Sequence, residues 1–220
     1  MEFLRGADVR NPYSAIDEDM INSYFSSPKK LTEPGVKVSY SNLGMGLLAL
    51  ILEKHCKKSY SKMVEENIAI PADMDFRSNY NGADRLVQGY NSHGKTTPQW
   101  SFLSLTGAGG LRMTSKDVNK YLRWVLKDDN NQLREAVSSV AITDGKDENM
   151  LGWVRRSFQG SEVWWHNGAT GGFNSFAAIV PDREIAVSVL INQGLSPWKT
   201  FFGKTPLATS LGWEVLAGSL

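Results

Sequence analysis

The chain has 220 residues, 41% of them hydrophobic and 21% charged, with a formal net charge of +1. This composition can bury a core, and seven Trp with nine Phe exclude a disordered polymer. The near-neutral charge excludes a general attraction to nucleic acid or anionic membrane, and the single cysteine, Cys56, excludes an internal disulfide and a cysteine-ligated zinc site.

No apolar run is long enough to span a bilayer, and Met1-Glu2-Phe3-Leu4-Arg5 lacks the apolar core of a secretory signal. Lys29-Lys30 and Lys57-Lys58 read as solvated surface pairs. Residues 1–38 are polar and mixed; within them Asp17 to Phe25 predicts a short helix with an acidic first turn, which the helix dipole favours. Pro34-Gly35 signals a turn that delivers Val36 to Tyr40 as an extended approach. From Asn42 the pattern changes abruptly. Leu43, Met45, Leu47, Leu48, Leu50, Ile51 and Leu52 predict a buried apolar helix, with Cys56 near its end as a buried structural thiol. A second helix runs from Tyr60 to Ile68 and stops before Pro71.

Residues 72–106, rich in Asn, Gly, Ser and aromatic side chains, read as long loops. Gly107 to Leu111 reads as a close-packing turn. Thr114-x-x-Asp117 then resembles a capping box and opens an amphipathic helix carrying Val118, Tyr121, Leu122, Trp124, Val125 and Leu126. The last third switches to strands. Leu151–Phe158 pairs with Ser161–His166 across Gln159-Gly160, and Asn174–Val180 pairs with Glu184–Ile191 around Pro181-Asp182-Arg183. Residues Ile185 to Ile191 are apolar at nearly every position, which predicts a strand covered on both faces. Pro206 to Leu216 closes as a helix. The order predicts an α+β domain, with a helical and loop subdomain over 1–147 and an antiparallel sheet with a final helix over 148–220.

Two motifs carry chemistry. Tyr40-Ser41-Asn42 stands at the mouth of the apolar helix. A tyrosine hydroxyl is a poor base unless nearby cations stabilise the phenolate, while the Asn42 amide offers both donors and an acceptor. Alone, the tripeptide also reads as a helix cap. His166-Asn167-Gly168-Ala169-Thr170-Gly171-Gly172-Phe173 follows much later. A histidine among tryptophans on a strand is ordinarily a packing residue. Gly168, however, would let a ligand backbone approach the strand edge without a Cβ in the way, and the Ala169 N–H could serve as an oxyanion-hole donor.

Together these segments resemble the serine β-lactamase-related family, which groups class C β-lactamases, D-alanyl-D-alanine carboxypeptidases and family VIII esterases. Supporting segments are Ala108-Gly109-Gly110-Leu111 with Thr114 to Asp117, Ile70-Pro71-Ala72-Asp73-Met74, and Gly152-Trp153; the resemblance covers roughly residues 32–195. It implies a β-lactamase/penicillin-binding-protein-like fold and acyl-enzyme hydrolysis of a β-lactam, D-Ala peptide or ester, without cofactor or metal. It gives Tyr40 and His166 catalytic roles and Asn42, Asn167, Gly168 and Ala169 substrate-binding roles. It also implies an extracytoplasmic location. Histidine stands where true β-lactamases carry lysine, a departure that points toward the peptidase and esterase branches, and Asn167 puts an amide where the family's Thr or Ser hydroxyl would bind the substrate carboxylate.

The family's nucleophile is a Ser-x-x-Lys helix lying well before the Tyr-x-Asn motif, and fewer than forty residues precede Tyr40. The bare pattern occurs at Ser26/Lys29, Ser27/Lys30, Ser59/Lys62, Ser92/Lys95 and Ser196/Lys199, each in an unsuitable setting. The expectation is therefore a chain lacking the N-terminal nucleophile segment and strands, and inactive alone. An alternative is a non-catalytic module binding peptidoglycan-like peptides or a protein. Without the N-terminal strands, the Glu184–Ile191 strand would keep one unpaired edge, which points to self-association or complementation by strands of another polypeptide.

Overall fold

The computed structural model describes residues 8, 10–26, 33, 35–36, 38–76, 78, 86–127, 131–138, 142–195 and 205–220. Residues 1–5, the Lys29-Lys30 pair and Pro34 lie outside these residues. Helices α1 (Glu18–Ser26), α2 (Asn42–Cys56) and α3 (Tyr60–Val64) come first, α3 running into a π turn at Glu65–Ala69. They are followed by α4 (Ser115–Leu126) and α5 (Asn131–Ser138). Six strands form one antiparallel sheet in sequence order: β1 (Ile142–Asp144), β2 (Asp147–Asn149), β3 (Val154–Phe158), β4 (Ser161–Ala169), β5 (Asn174–Val180) and β6 (Ile185–Ile191). Helix α6 (Leu207–Ser219) ends the chain.

The sheet is an inner layer. Period-2 alternation sends Trp164 and Ile179 to the face packed by Leu122 and Val125 of α4. Val163, Phe176, Ala178 and Val180 go to the opposite face, against Ala208 and Leu216 of α6. The β3–β4 turn is Gln159 (φ 49°) and Gly160 (φ 81°), both left-handed, as a two-residue hairpin with matching twist requires. The short β1–β2 hairpin around Gly145 extends the sheet to Ile142 and was not anticipated. Its residues carry charge rather than alternating apolar side chains.

Two burial expectations are corrected. Helix α2 buries Gly46, Ala49 and Leu50, but Met45, Leu48, Ile51 and Leu52 are between 40% and 53% exposed. Its covered stripe is narrow because small residues seat it on Leu105 and Gly107, so the remaining apolar face stands in solvent. Cys56, at the end of that helix, is exposed rather than buried.

The capping box also closes differently. The Thr114 hydroxyl accepts from Asp117 N at 3.1 Å and lies 3.0 Å from Asp117 Oδ2, while Asp117 Oδ1 accepts from Asp75 N at 2.7 Å. The carboxylate thus meets the hydroxyl of its own cap with one oxygen and ties the Asp75 backbone to the helix with the other. Strand β6 is flanked by α4 and α6, and its Ser188 Oγ lies 2.9 Å from Asn119 Oδ1 of α4. Among the described residues its only strand neighbour is β5, and Leu190 is 41% exposed.

Helix α6 approaches the sheet through Gly212, where an added Cβ would fall inside the van der Waals envelope of the Phe176 ring. Gly212→Ala should therefore destabilise the fold by about 1–3 kcal/mol, the range for overpacking a filled core, as read by chemical denaturation. Gly218→Ala on the same helix meets nothing within 4 Å and serves as the control.

Candidate functional site

The Ser41 side chain accepts from Gly44 N at 2.9 Å and so starts α2 at Asn42. Tyr40 therefore lies just outside the helix, on extended backbone. Opposite it, β3 ends at the Val154↔Trp165 pair, whereas β4 continues to Ala169 against β5. Residues 166–169 thus have no strand on the β3 side among the described residues. This is the edge that Tyr40 faces: its ring centroid is 6.4 Å from that of His166, the planes 36° apart.

The electrostatics of this pair differ from the sequence expectation. Burial holds His166 below its ordinary pKa, opposed by a hydrogen bond to the Asn167 backbone. Burial first, and the charge of Tyr13 second, raise Tyr40; with 73% of that side chain exposed, solvent tempers the push. At neutral pH the cleft therefore presents a neutral imidazole beside a neutral phenol.

The other candidates divide. Asn42 Nδ2 donates to Tyr13 Oη at 2.9 Å. Tyr13, which motif reading overlooked, is 5% exposed and stacks on Phe102 at 4.9 Å. The Asn-Pro-Tyr order of residues 11–13 was the available signal. Gly168 pairs with Ser175, and Ala169 with Asn174, at the end of the open edge. A Cβ on Gly168 would come within 3.0 Å of Ser175 Oγ, so the glycine serves the sheet as well as the edge. Asn167 is not brought to His166. Alternation places it on the opposite face, where its Nδ2 donates to Thr209 Oγ1 of α6 at 3.2 Å. Asn167, expected to bind substrate, thus meets α6 rather than His166.

Glycines close the end of the cleft. Thr170 N donates to Phe173 O at 2.9 Å, and a Cβ on Gly172 would stand 2.9 Å from Gly89 Cα. The loop around Gly89 thus packs backbone to backbone on the turn after β4. Among the serine–lysine patterns, Ser59 caps α3 and accepts from Lys62 N at 3.3 Å. Lys62 Nζ instead pairs with Glu65 at 3.2 Å. Ser92 Oγ lies 3.4 Å from His93 Nδ1 in a turn. Lys29, Ser27, Lys30, Ser196 and Lys199 lie outside the described residues. No group of three His, Cys, Asp or Glu among the described residues could hold a metal ion, and no helix among them is long and apolar enough to cross a membrane.

His166 yields a pH dependence. Because its folded pKa is depressed below the unfolded value near 6.5, the unfolded chain binds the proton more readily. Protonation of the unfolded chain therefore lowers stability as pH falls from about 7.5 through about 6.5. Denaturation midpoints measured across that window should fall less steeply for His166→Gln than for the parent chain.

A family profile described as Beta-lactamase matches residues 4–204. The D-alanyl-D-alanine-carboxypeptidase/endopeptidase AmpH of Escherichia coli (strain K12) is 26% identical over 188 residues, covering 77% of this chain and 49% of the relative. Protein flp of Staphylococcus aureus (strain MRSA252) is 23% identical over 173 residues, covering 73% of this chain and 34% of its own. The chain thus spans half or less of the length of these relatives. The D-alanine carboxypeptidase AmpC from Burkholderia cenocepacia matches with a TM-score of 0.74 at 17% identity, over 96% of this chain and 69% of that one. A class C beta-lactamase in complex with cefoxitin matches with a TM-score of 0.74 at 17% identity, over 99% of this chain and 74% of its own. The Tyr-x-Asn and basic-x-Gly segments thus sit in a fold shared with these structures, and the profile runs through both: the chain belongs to the serine beta-lactamase-related family.

Proposed function

We propose that this chain is the recognition half of a serine acyl hydrolase site, supplying Tyr40, Asn42, His166 and the Ala169 N–H but no nucleophile of its own. The observation that carries the reading is the 6.4 Å approach of the Tyr40 and His166 rings across an open strand edge. A ligand acyl group laid along residues 166–169 would add to that edge as an extended segment. The Ala169 N–H would donate to its carbonyl oxygen, Asn42 would hold an adjacent polar group, and His166 would gain a proton on meeting a ligand carboxylate.

In the complete reaction a serine oxygen attacks the carbonyl carbon, the amine or alcohol leaves with a proton, and water then releases the acyl group. Tyr40, a neutral phenol here, suits proton delivery to the leaving group. Accepting the serine proton would require a cation beside it to lower its pKa. The substrate class is a β-lactam, a D-Ala-terminated peptide or an ester.

This reading makes the isolated chain catalytically silent. Nitrocefin and p-nitrophenyl esters should be hydrolysed no faster than in buffer, while an acyl-D-alanyl-D-alanine peptide binds saturably. Turnover abolished by a covalent serine reagent would overturn the proposal, and mass spectrometry of the adduct would name the serine. Failure to bind the peptide would remove the recognition role.

A second reading concerns partners, and the edge of β6 supports it. The strand carries neither charge nor proline, the features that usually protect a free edge. Nearby, Leu207, Leu211 and Val215 of α6 are 49%, 38% and 49% exposed at four-residue spacing, which places them on one helical stripe. We read this surface as one that self-associates or accepts a strand from another polypeptide. Sedimentation velocity should show species larger than a monomer, or a monomer that binds a hydrophobic dye. A stable monomer that binds none sinks the idea.

A further inference from the structure

We infer that Tyr13 is a positioning residue of the cleft, acting by holding the Asn42 side-chain amide in one orientation. The inference rests on the recognition role proposed above, and its geometry stands independently. Asn42 is the first residue of α2, and its side chain is only part-buried. An amide there can rotate or flip at little steric cost, because its oxygen and nitrogen ends are nearly the same size. Tyr13 removes that freedom: Asn42 Nδ2 donates to its hydroxyl at 2.9 Å. One Nδ2 hydrogen and Oδ1 remain for a ligand.

Tyr13 is itself immobilised. Its ring stacks on Phe102 at 4.9 Å and tilts against Trp100 at 5.5 Å. Asn11 fastens the same loop, accepting from Ser101 N at 2.8 Å and donating to Ser101 Oγ at 3.0 Å. Trp100 in turn reaches the other wall of the site, its Nε1 lying 2.7 Å from where a Cβ on Gly171 would stand. The hydroxyl is thus delivered to Asn42 by an aromatic cluster, with Tyr13 buried and Trp100 and Phe102 partly buried, that also backs the glycine turn after β4.

The test is a double-mutant cycle on Tyr13→Phe and Asn42→Ala, read by affinity for an acyl-D-alanyl-D-alanine peptide. Tyr13→Phe keeps the stacked ring and deletes only the acceptor. It should weaken binding about 3- to 10-fold, the range for one net hydrogen bond, and should have no further effect in the Asn42→Ala background. Equal losses in both backgrounds, or no loss in either, would overturn the inference by showing that Tyr13 does not act through Asn42. A second readout is the Asn42 side-chain NH2 pair in the nuclear magnetic resonance spectrum, which should shift and lose its distinct bound proton in Tyr13→Phe. If the parent chain binds no peptide, the recognition role fails while the amide signals still decide this inference: an unchanged NH2 pair refutes it.

Discussion

The early end of β3 is the constraint on which the rest of the site depends. Strand β4 pairs with β3 from Ser161 to Trp165 and with β5 from Trp164 to Ala169, so among the described residues His166 to Ala169 have a strand on one side only. The paired half is fixed between two helical layers by Trp164 and Trp165, whose side chains enter opposite cores. That anchoring lets the unpaired half hold an extended, accessible edge without collapsing onto a neighbour. Backbone groups left open on such an edge are a template for another extended chain, and here the template lies beside Tyr40.

The second feature is how burial acts on the two rings that approach each other at 6.4 Å. Burial suppresses the charge of His166 and resists ionisation of Tyr40. Charged side chains near the sheet are paired elsewhere: Arg156 with Asp147 at 2.6 Å, under the rings of Trp165 and Trp213, and Arg155 with Glu148.

Stability and function meet at the asparagines. Asn174 Oδ1 accepts from Ala208 N at 2.8 Å and its Nδ2 donates to Gln193 O at 2.5 Å, while Asn167 reaches Thr209. Both fasten α6 to the ends of β4 and β5, so the open edge is braced from behind by the helix. On the other wall, Asn11 and Asn42 do the equivalent work for the loop carrying Tyr13.

Much of the architecture was written locally in the residues. Apolar alternation and the Gln159-Gly160 turn determined the β3–β4 hairpin, the Thr114 cap determined where α4 starts, and the resemblance of the segments around Tyr40, Asn42 and His166 to family motifs nominated these residues. Other features followed from contacts between residues distant in sequence. The exposed face of α2 could not be read from its composition, because an apolar helix is buried only where something lies against it. The face on which Asn167 falls was set by the register of β4 against β5. The neutrality of His166 was set by how much water its neighbours exclude, and the role of Tyr13 by a single hydroxyl meeting Asn42 across 29 positions of chain. Local preference chooses elements and turns, while burial, facing and protonation state belong to the assembled tertiary structure, since each depends on which surfaces end up in contact.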